Sequence, residues 1–179
     1  AMGVEMDRHV HGDGRHTVTL TGGQVPAAID VVVPGDISSA AFFLVAASIV
    51  PGSDIVATGV GLNPTRTGVL DVLARMGARV TVMNERTASG EPMGDLHVQA
   101  TPLQGTVIGG PEIPRLIDEF PILAVAAAMA TGETLITDAA ELRVKESDRI
   151  AATVGLLRAM GVDADPRPDG MVIQGTGGR

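Results

Sequence analysis

The 179-residue sequence predicts an α/β (α+β) fold built from tandem β-α-β-α-β-β units, and three observations lead there. The chain repeats itself, β-branched runs alternate with Ala-rich or amphipathic stretches, and glycines close the helical stretches at matching places. Phe43-Leu-Val-Ala-Ala-Ser-Ile-Val-Pro-Gly52 matches Leu123-Ala-Val-Ala-Ala-Ala-Met-Ala-Thr-Gly132 at an offset of 80. Leu73-Ala-Arg-Met-Gly77 matches Leu157-Arg-Ala-Met-Gly161 at an offset of 84. Ala1-Met-Gly-Val4 and Val18-Thr-Leu-Thr-Gly-Gly23 resemble the end of the second copy, Ala159-Met-Gly-Val162 and Val172-Ile-Gln-Gly-Thr-Gly-Gly178. The expected division is therefore a closing hairpin of a preceding unit at 1–24, a first unit at 25–103 and a second at 104–179.

In the first copy the β-branched run 29–33 predicts a strand, and 38–50 predicts a helix so continuously apolar that it should be buried. Residues 53–58 read as a strand, and 65–76 as an amphipathic helix stopped by Gly77. Residues 79–83 and 95–100 read as two strands around a Gly/Pro-containing turn at 87–94. The second copy repeats the series with strands at 106–108, 134–137, 162–164 and 171–174, and helices at 121–130 and 148–160.

Composition narrows the function. With 45% hydrophobic and 19% charged residues the chain can bury a real core, and with three Phe and no Tyr or Trp that core is aliphatic. Base-stacking platforms are missing, and a net charge of -8 works against a phosphate backbone, so nucleic acid is disfavoured. No cysteine is present for a disulfide, thiolate ligand or thiol nucleophile. The longest apolar stretch, 122–130, is far short of a membrane span. A soluble, cytoplasmic protein with no nucleic-acid or membrane partner is expected.

Where the copies differ, something besides folding is specified. Ser38-Ser39 in the first copy becomes Asp118-Glu119 in the second, ahead of a helix whose first position is expected at Pro121. A carboxylate there faces free backbone N–H groups and should stay ionised; the alternative is that Asp118 or Glu119 is simply the N-cap. Gly61-Leu-Asn-Pro-Thr65 becomes Lys145-Glu-Ser-Asp-Arg149. Lys145 and Arg149 stand four apart and can face one anionic ligand, with a carboxylate between them for proton transfer. Charged helix starts are also commonly only solvated. Lys145 is the single lysine beside twelve arginines, so its position either needs an ammonium or reflects an Arg-rich composition. His9, His11 and His16 lack a regular ligand spacing, Gly59-Val-Gly61 lacks the rest of a dinucleotide fingerprint, and no nucleophile elbow surrounds Ser38 or Ser39, so neither metal nor cofactor is expected.

Arg143-Val-Lys-Glu-Ser-Asp-Arg149, Leu116-Ile-Asp-Glu-Phe-Pro-Ile-Leu-Ala-Val-Ala-Ala127, Val33-Pro-Gly-Asp-Ile-Ser-Ser-Ala40 and Asn63-Pro-Thr-Arg-Thr-Gly68 together resemble the EPSP synthases (3-phosphoshikimate 1-carboxyvinyltransferases). The likeness runs over nearly the whole chain. It implies the enolpyruvyl transferase α-β prism fold, with two of the three βαβαββ units of one domain at 25–179. The Lys145–Arg149 run favours this family over the sister enzyme acting on a UDP-sugar, and Asp-Glu-Phe-Pro resembles its glyphosate-tolerant bacterial subgroup.

The resemblance implies phosphoenolpyruvate and shikimate 3-phosphate as substrates. Asp118 would bind shikimate 3-phosphate and take the proton of its 5-hydroxyl or hold that hydroxyl for attack, Lys145 would contact the same substrate near its reacting hydroxyl, Glu146 would protonate the methylene carbon and Arg149 would pair with the phosphoenolpyruvate carboxylate. Glu141 stands where relatives carry an asparagine near the phosphate and is left out. Family members are more than twice as long, so the chain reads as a fragment, inactive without the remainder of the enzyme. Competing readings are a non-catalytic repeat module and an RNA-end cyclase, the latter disfavoured by the acidic charge.

Overall fold

The computed structural model describes residues 2–178. Along the chain run β1 (Met6–Val10), β2 (His16–Leu20), α1 (Ile37–Ile49), β3 (Asp54–Gly61), α2 (Gly68–Arg75), β4 (Arg79–Ala88) and β5 (Glu91–Gln99). The second copy follows with β6 (Val107–Ile108), α3 (Phe120–Met129), β7 (Thr131–Ile136), α4 (Arg149–Ala159), β8 (Ala164–Arg167) and β9 (Gly170–Thr176). The fold is α/β.

Helices α1 and α3, one from each copy, form the middle of the core. Both are rich in Ala, which helices tolerate well and which lets two helices approach closely. Ala41, Leu44 and Val45 of α1 and Leu123, Ala124 and Ala127 of α3 are fully buried and belong to one cluster that takes in residues of both copies. Asp36 starts α1, accepting from the Ser38 and Ser39 backbone N–H groups at 3.3 and 2.9 Å. The Ser39 hydroxyl, ahead of these backbone donors, holds its carboxyl below the usual carboxylate range. Pro121 lies in the first turn of α3, where its missing N–H costs nothing.

In the first copy the antiparallel sheet has the order β3-β5-β4, with Val69, Val72 and Leu73 of α2 buried. The second sheet has the order β6-β7-β9-β8, with only β6 parallel to its neighbour. α3 lies so close to β9 that a Cβ on Gly175 would collide with the carbonyl oxygens of Ala130 and Ala127. β1 and β2 form a separate two-stranded ladder whose apolar residues Met6, Val10, Val18 and Leu20 are exposed.

Several expectations are corrected. No strand forms at 29–33; only Gly35 bridges Val60. The β3 register shifts between Ala57 and Val60, and Gly59 turns into the left-handed region, so β3 offers this segment a single pairing site. α1 is not buried all round: Phe42 and Phe43 are 58% and 66% exposed, because α3 covers only one flank. The second helix begins at Gly68 instead of 65, since the Asn63 side chain accepts from both the N–H and the hydroxyl of Thr65 and closes a turn there. The 87–94 turn contracts to Ser89-Gly90, both at positive φ, which extends β4 and β5. β8 starts at Ala164, not 162, because the Val162 N–H donates back to Leu157 O and finishes α4.

Because the core is shared, Leu44→Ala should cost roughly 2–5 kcal/mol. Its effect should reach both copies: hydrogen exchange at Leu96 and at Ile173 should accelerate together. Acceleration confined to the first copy would mean two separate cores.

Candidate active site

The N-termini of α1, α3 and α4 meet at one end of the core. Ser38 on the first turn of α1 donates to Glu119 at the start of α3, and Arg149 at the start of α4 donates to Asp118 at 3.4 Å. Three helix N-termini make the place favourable for negative charge.

Asp118 is its focus. Its Oδ1 lies 3.4 Å from Arg149 Nη1 and 4.0 Å from Lys145 Nζ, and its Oδ2 lies 3.9 Å from Arg66 Nη2. Arg149 also donates to Glu146 from Nε and Nη2 at 3.0 and 3.1 Å, so one guanidinium stands between two carboxylates. Lys145 is 3.3 Å from Glu141. A cleft of about 460 Å³ opens beside this cluster, lined by Asp118, Glu146, Arg149, Pro121 and Leu156. Glu146 is held below the usual carboxylate range by its own backbone N–H and then by Arg149. All four residues expected from the sequence, Asp118, Lys145, Glu146 and Arg149, thus meet in one place.

The loop carrying Lys145 and Glu146 is tied down at Arg143. Its guanidinium donates to Pro168 O at 2.7 Å, to Arg167 O and to the Asp148 carboxylate at 2.8 Å. Asp148 in turn caps α4, accepting from the Ala151 N–H at 3.0 Å. Arg143 is therefore a tether to the β8–β9 turn and not a surface charge.

Two further expectations change. Neither Asp118 nor Glu119 caps α3 with its side chain, although Glu119 occupies the N-cap position; Glu119 turns to Ser38 and Asp118 to the cations. Glu141, left out on sequence, is the carboxylate nearest Lys145. Sequence reasoning also missed Arg66. It stands in the Asn63–Gly68 motif, whose distinctive wording was the available signal, but nothing local tied it to Asp118, 52 residues away. His9 and His11 stack edge to face on the hairpin, and among the described residues no cluster of three or more His, Cys, Asp or Glu could hold a metal.

The family model of EPSP synthase (3-phosphoshikimate 1-carboxyvinyltransferase) matches residues 1–178. The chain belongs to the EPSP synthase family. A 3-phosphoshikimate 1-carboxyvinyltransferase of Geobacter sulfurreducens is 59% identical over 160 residues, covering 89% of this chain and 37% of that protein. One of Synechocystis sp. is 61% identical over 160 residues, with 89% and 36% covered. The chain thus spans little more than a third of the length of these EPSP synthase relatives. Among solved structures, EPSP synthase of Acinetobacter baumannii superposes with a TM-score of 0.88 at 47% identity, covering 98% of this chain and 39% of that one. The enolpyruvyl transferase NikO of Streptomyces tendae, 18% identical with a TM-score of 0.68 over 96% of this chain and 37% of its own, shares the fold. Within the described residues no helix is long and apolar enough to cross a membrane.

The Asp148 cap sets a pH dependence. The Ala151 N–H, then Arg143, holds the Asp148 carboxyl low, so its contribution to stability is present above its ordinary value of 3.8 and lost as pH falls below it. Asp148→Asn, which can still cap but carries no charge, should lower stability at neutral pH and flatten its further loss below about pH 4. An unaltered acid limb would show that the cap charge plays no part.

Proposed function

We propose that the protein of which this chain forms a part transfers the enolpyruvyl group of phosphoenolpyruvate to the 5-hydroxyl of shikimate 3-phosphate, in the cytoplasm. The observation that carries this is the placement of Arg149 between Asp118 and Glu146, a cation shared by a base and an acid. In this reading Asp118 takes the hydroxyl proton as the oxygen bonds to C2 of phosphoenolpyruvate, and Glu146 gives a proton to C3. In the second step Glu146 takes a proton back from the new methyl group, the C2–O bond to phosphate breaks, and the proton held by Asp118 leaves with inorganic phosphate. Lys145 steadies the reacting hydroxyl and Arg149 pairs with the carboxylate of phosphoenolpyruvate.

Glu146, held low by its own backbone N–H and by Arg149, is ionised at neutral pH and has no proton to give. A substrate carboxylate that draws Arg149 away removes one of these holds. The Glu146 carboxyl then moves back up toward its ordinary value, which eases its protonation for transfer to C3. The division into 1–24, 25–103 and 104–179 accompanies this proposal, with the remaining substrate contacts coming from the rest of the protein.

The full-length protein should convert the two substrates to one equivalent each of enolpyruvyl product and phosphate, whereas the 179-residue chain alone should not. Lys145→Arg in the full-length protein should lower kcat by about 10² at unchanged thermal stability, because the larger fork cannot stand where the ammonium stood. Near-full kcat and KM in that variant would remove Lys145 from the mechanism, and absence of turnover in the unmodified protein would refute the function.

A further inference from the structure

We propose that Glu119 and Ser38 are positioning residues that aim the Arg66 guanidinium at Asp118, so that the first repeat sets the geometry of a reacting carboxylate in the second. The inference rests on the role of Asp118 given above.

Glu119 is 2% exposed, and its carboxylate is not spent on the helix it begins. It accepts from the Ser38 hydroxyl, which in turn accepts from Arg66 Nη2 at 2.9 Å. The direction of this chain is forced. Arg66 can only donate and Ser38 has one proton to give, so a Glu119 carboxyl oxygen is the final acceptor. A carboxylate buried at the boundary between two repeats is expensive unless it is bonded and used, and among the described residues the one side chain bonded to it leads to the site.

The same Nη2 that donates to Ser38 lies 3.9 Å from Asp118 Oδ2, while Arg149 and Lys145 stand on Oδ1. Asp118 is thereby braced from both sides, with the first repeat supplying one side. The backbone beneath Arg66 is held as well. Arg115 donates to Pro64 O at 2.7 Å and pairs with Asp71 at 2.8 Å, and Asn63 closes the turn at Thr65. With the loop fixed, Ser38 decides where the guanidinium points. Without it, a half-exposed arginine would swing among rotamers in solvent.

The test uses the full-length enzyme labelled with 15N-arginine. Unmodified protein should show separate, slowly rotating Arg66 Nη signals; Ser38→Ala should average them, and Ser38→Thr, which keeps the hydroxyl, should preserve them. In parallel, Ser38→Ala should lower kcat about tenfold with KM for both substrates within about twofold, and Ser38→Thr should restore it. Adding Ser38→Ala to Arg66→Gln should cause no further loss. If Ser38→Ala fails to fold because it orphans a buried acid, Glu119→Ala removes the acceptor that orients the Ser38 hydroxyl toward Arg66, leaves no orphaned acid, and should reproduce both effects. Unchanged Arg66 signals in the link-breaking variants, or averaged signals with unchanged kcat, would overturn the proposal. Should the unmodified enzyme turn nothing over, the proposed reaction fails, and the spectra alone decide whether Ser38 holds Arg66.

Discussion

The arrangement depends on one constraint: a single carboxylate, Asp118, gathers three cations from two distant stretches of the chain. Arg66 comes from the first repeat, Lys145 from the loop before α4 and Arg149 from its first turn. Coulomb attraction among half-exposed groups is too weak to assemble such a cluster unaided. The scaffold must deliver the charges already near their positions, and the interactions around the cluster do this. Arg143 ties the Lys145 loop to the β8–β9 turn, Arg115 ties the Arg66 loop to the second repeat, and Arg75 donates through both Nη atoms to Glu112 across the same boundary at 2.8 Å.

Beneath these polar ties lies the shared aliphatic core. α1 and α3 pack through Ala and Leu, which places their N-termini side by side and puts residues 38 and 119 in contact although 81 positions separate them. The two copies have corresponding helix starts, Ser38-Ser39 in one and Asp118-Glu119 in the other, and it is at these differing positions that Ser38 and Glu119 meet. The exposed flank of α1, with Phe42 and Phe43, and the uncovered apolar face of the β1–β2 ladder mark surfaces that the repeats do not bury in each other.

Much of this was legible in the sequence because it is periodic. The internal repeat announced the order of elements, and the departure of Lys145–Arg149 and Asp118-Glu119 from that repeat pointed to four of the residues that converge. What escaped was set by long-range partners. A β-branched run such as Val31-Val32-Val33 becomes a strand only if an edge accepts it, and β3 pairs with this segment only at Gly35, through Gly59 O and the Gly61 N–H. Arg143 is one charge in a charged run by sequence, whereas the backbone carbonyls of Arg167 and Pro168 that hold it lie 24 and 25 positions away. Glu119 read as a cap because caps are local, whereas its partner lies in the other repeat.

Substituting Asp118→Asn in the full-length enzyme tests the account most directly, by comparing turnover with the affinity for shikimate 3-phosphate measured by calorimetry. Asparagine keeps the shape but cannot take the hydroxyl proton, and it leaves the surrounding cations free to hold a phosphorylated ligand. The kcat should be lower by about 10³, with affinity within about threefold of the unmodified enzyme. Affinity lost in parallel with turnover, or turnover retained, would contradict it.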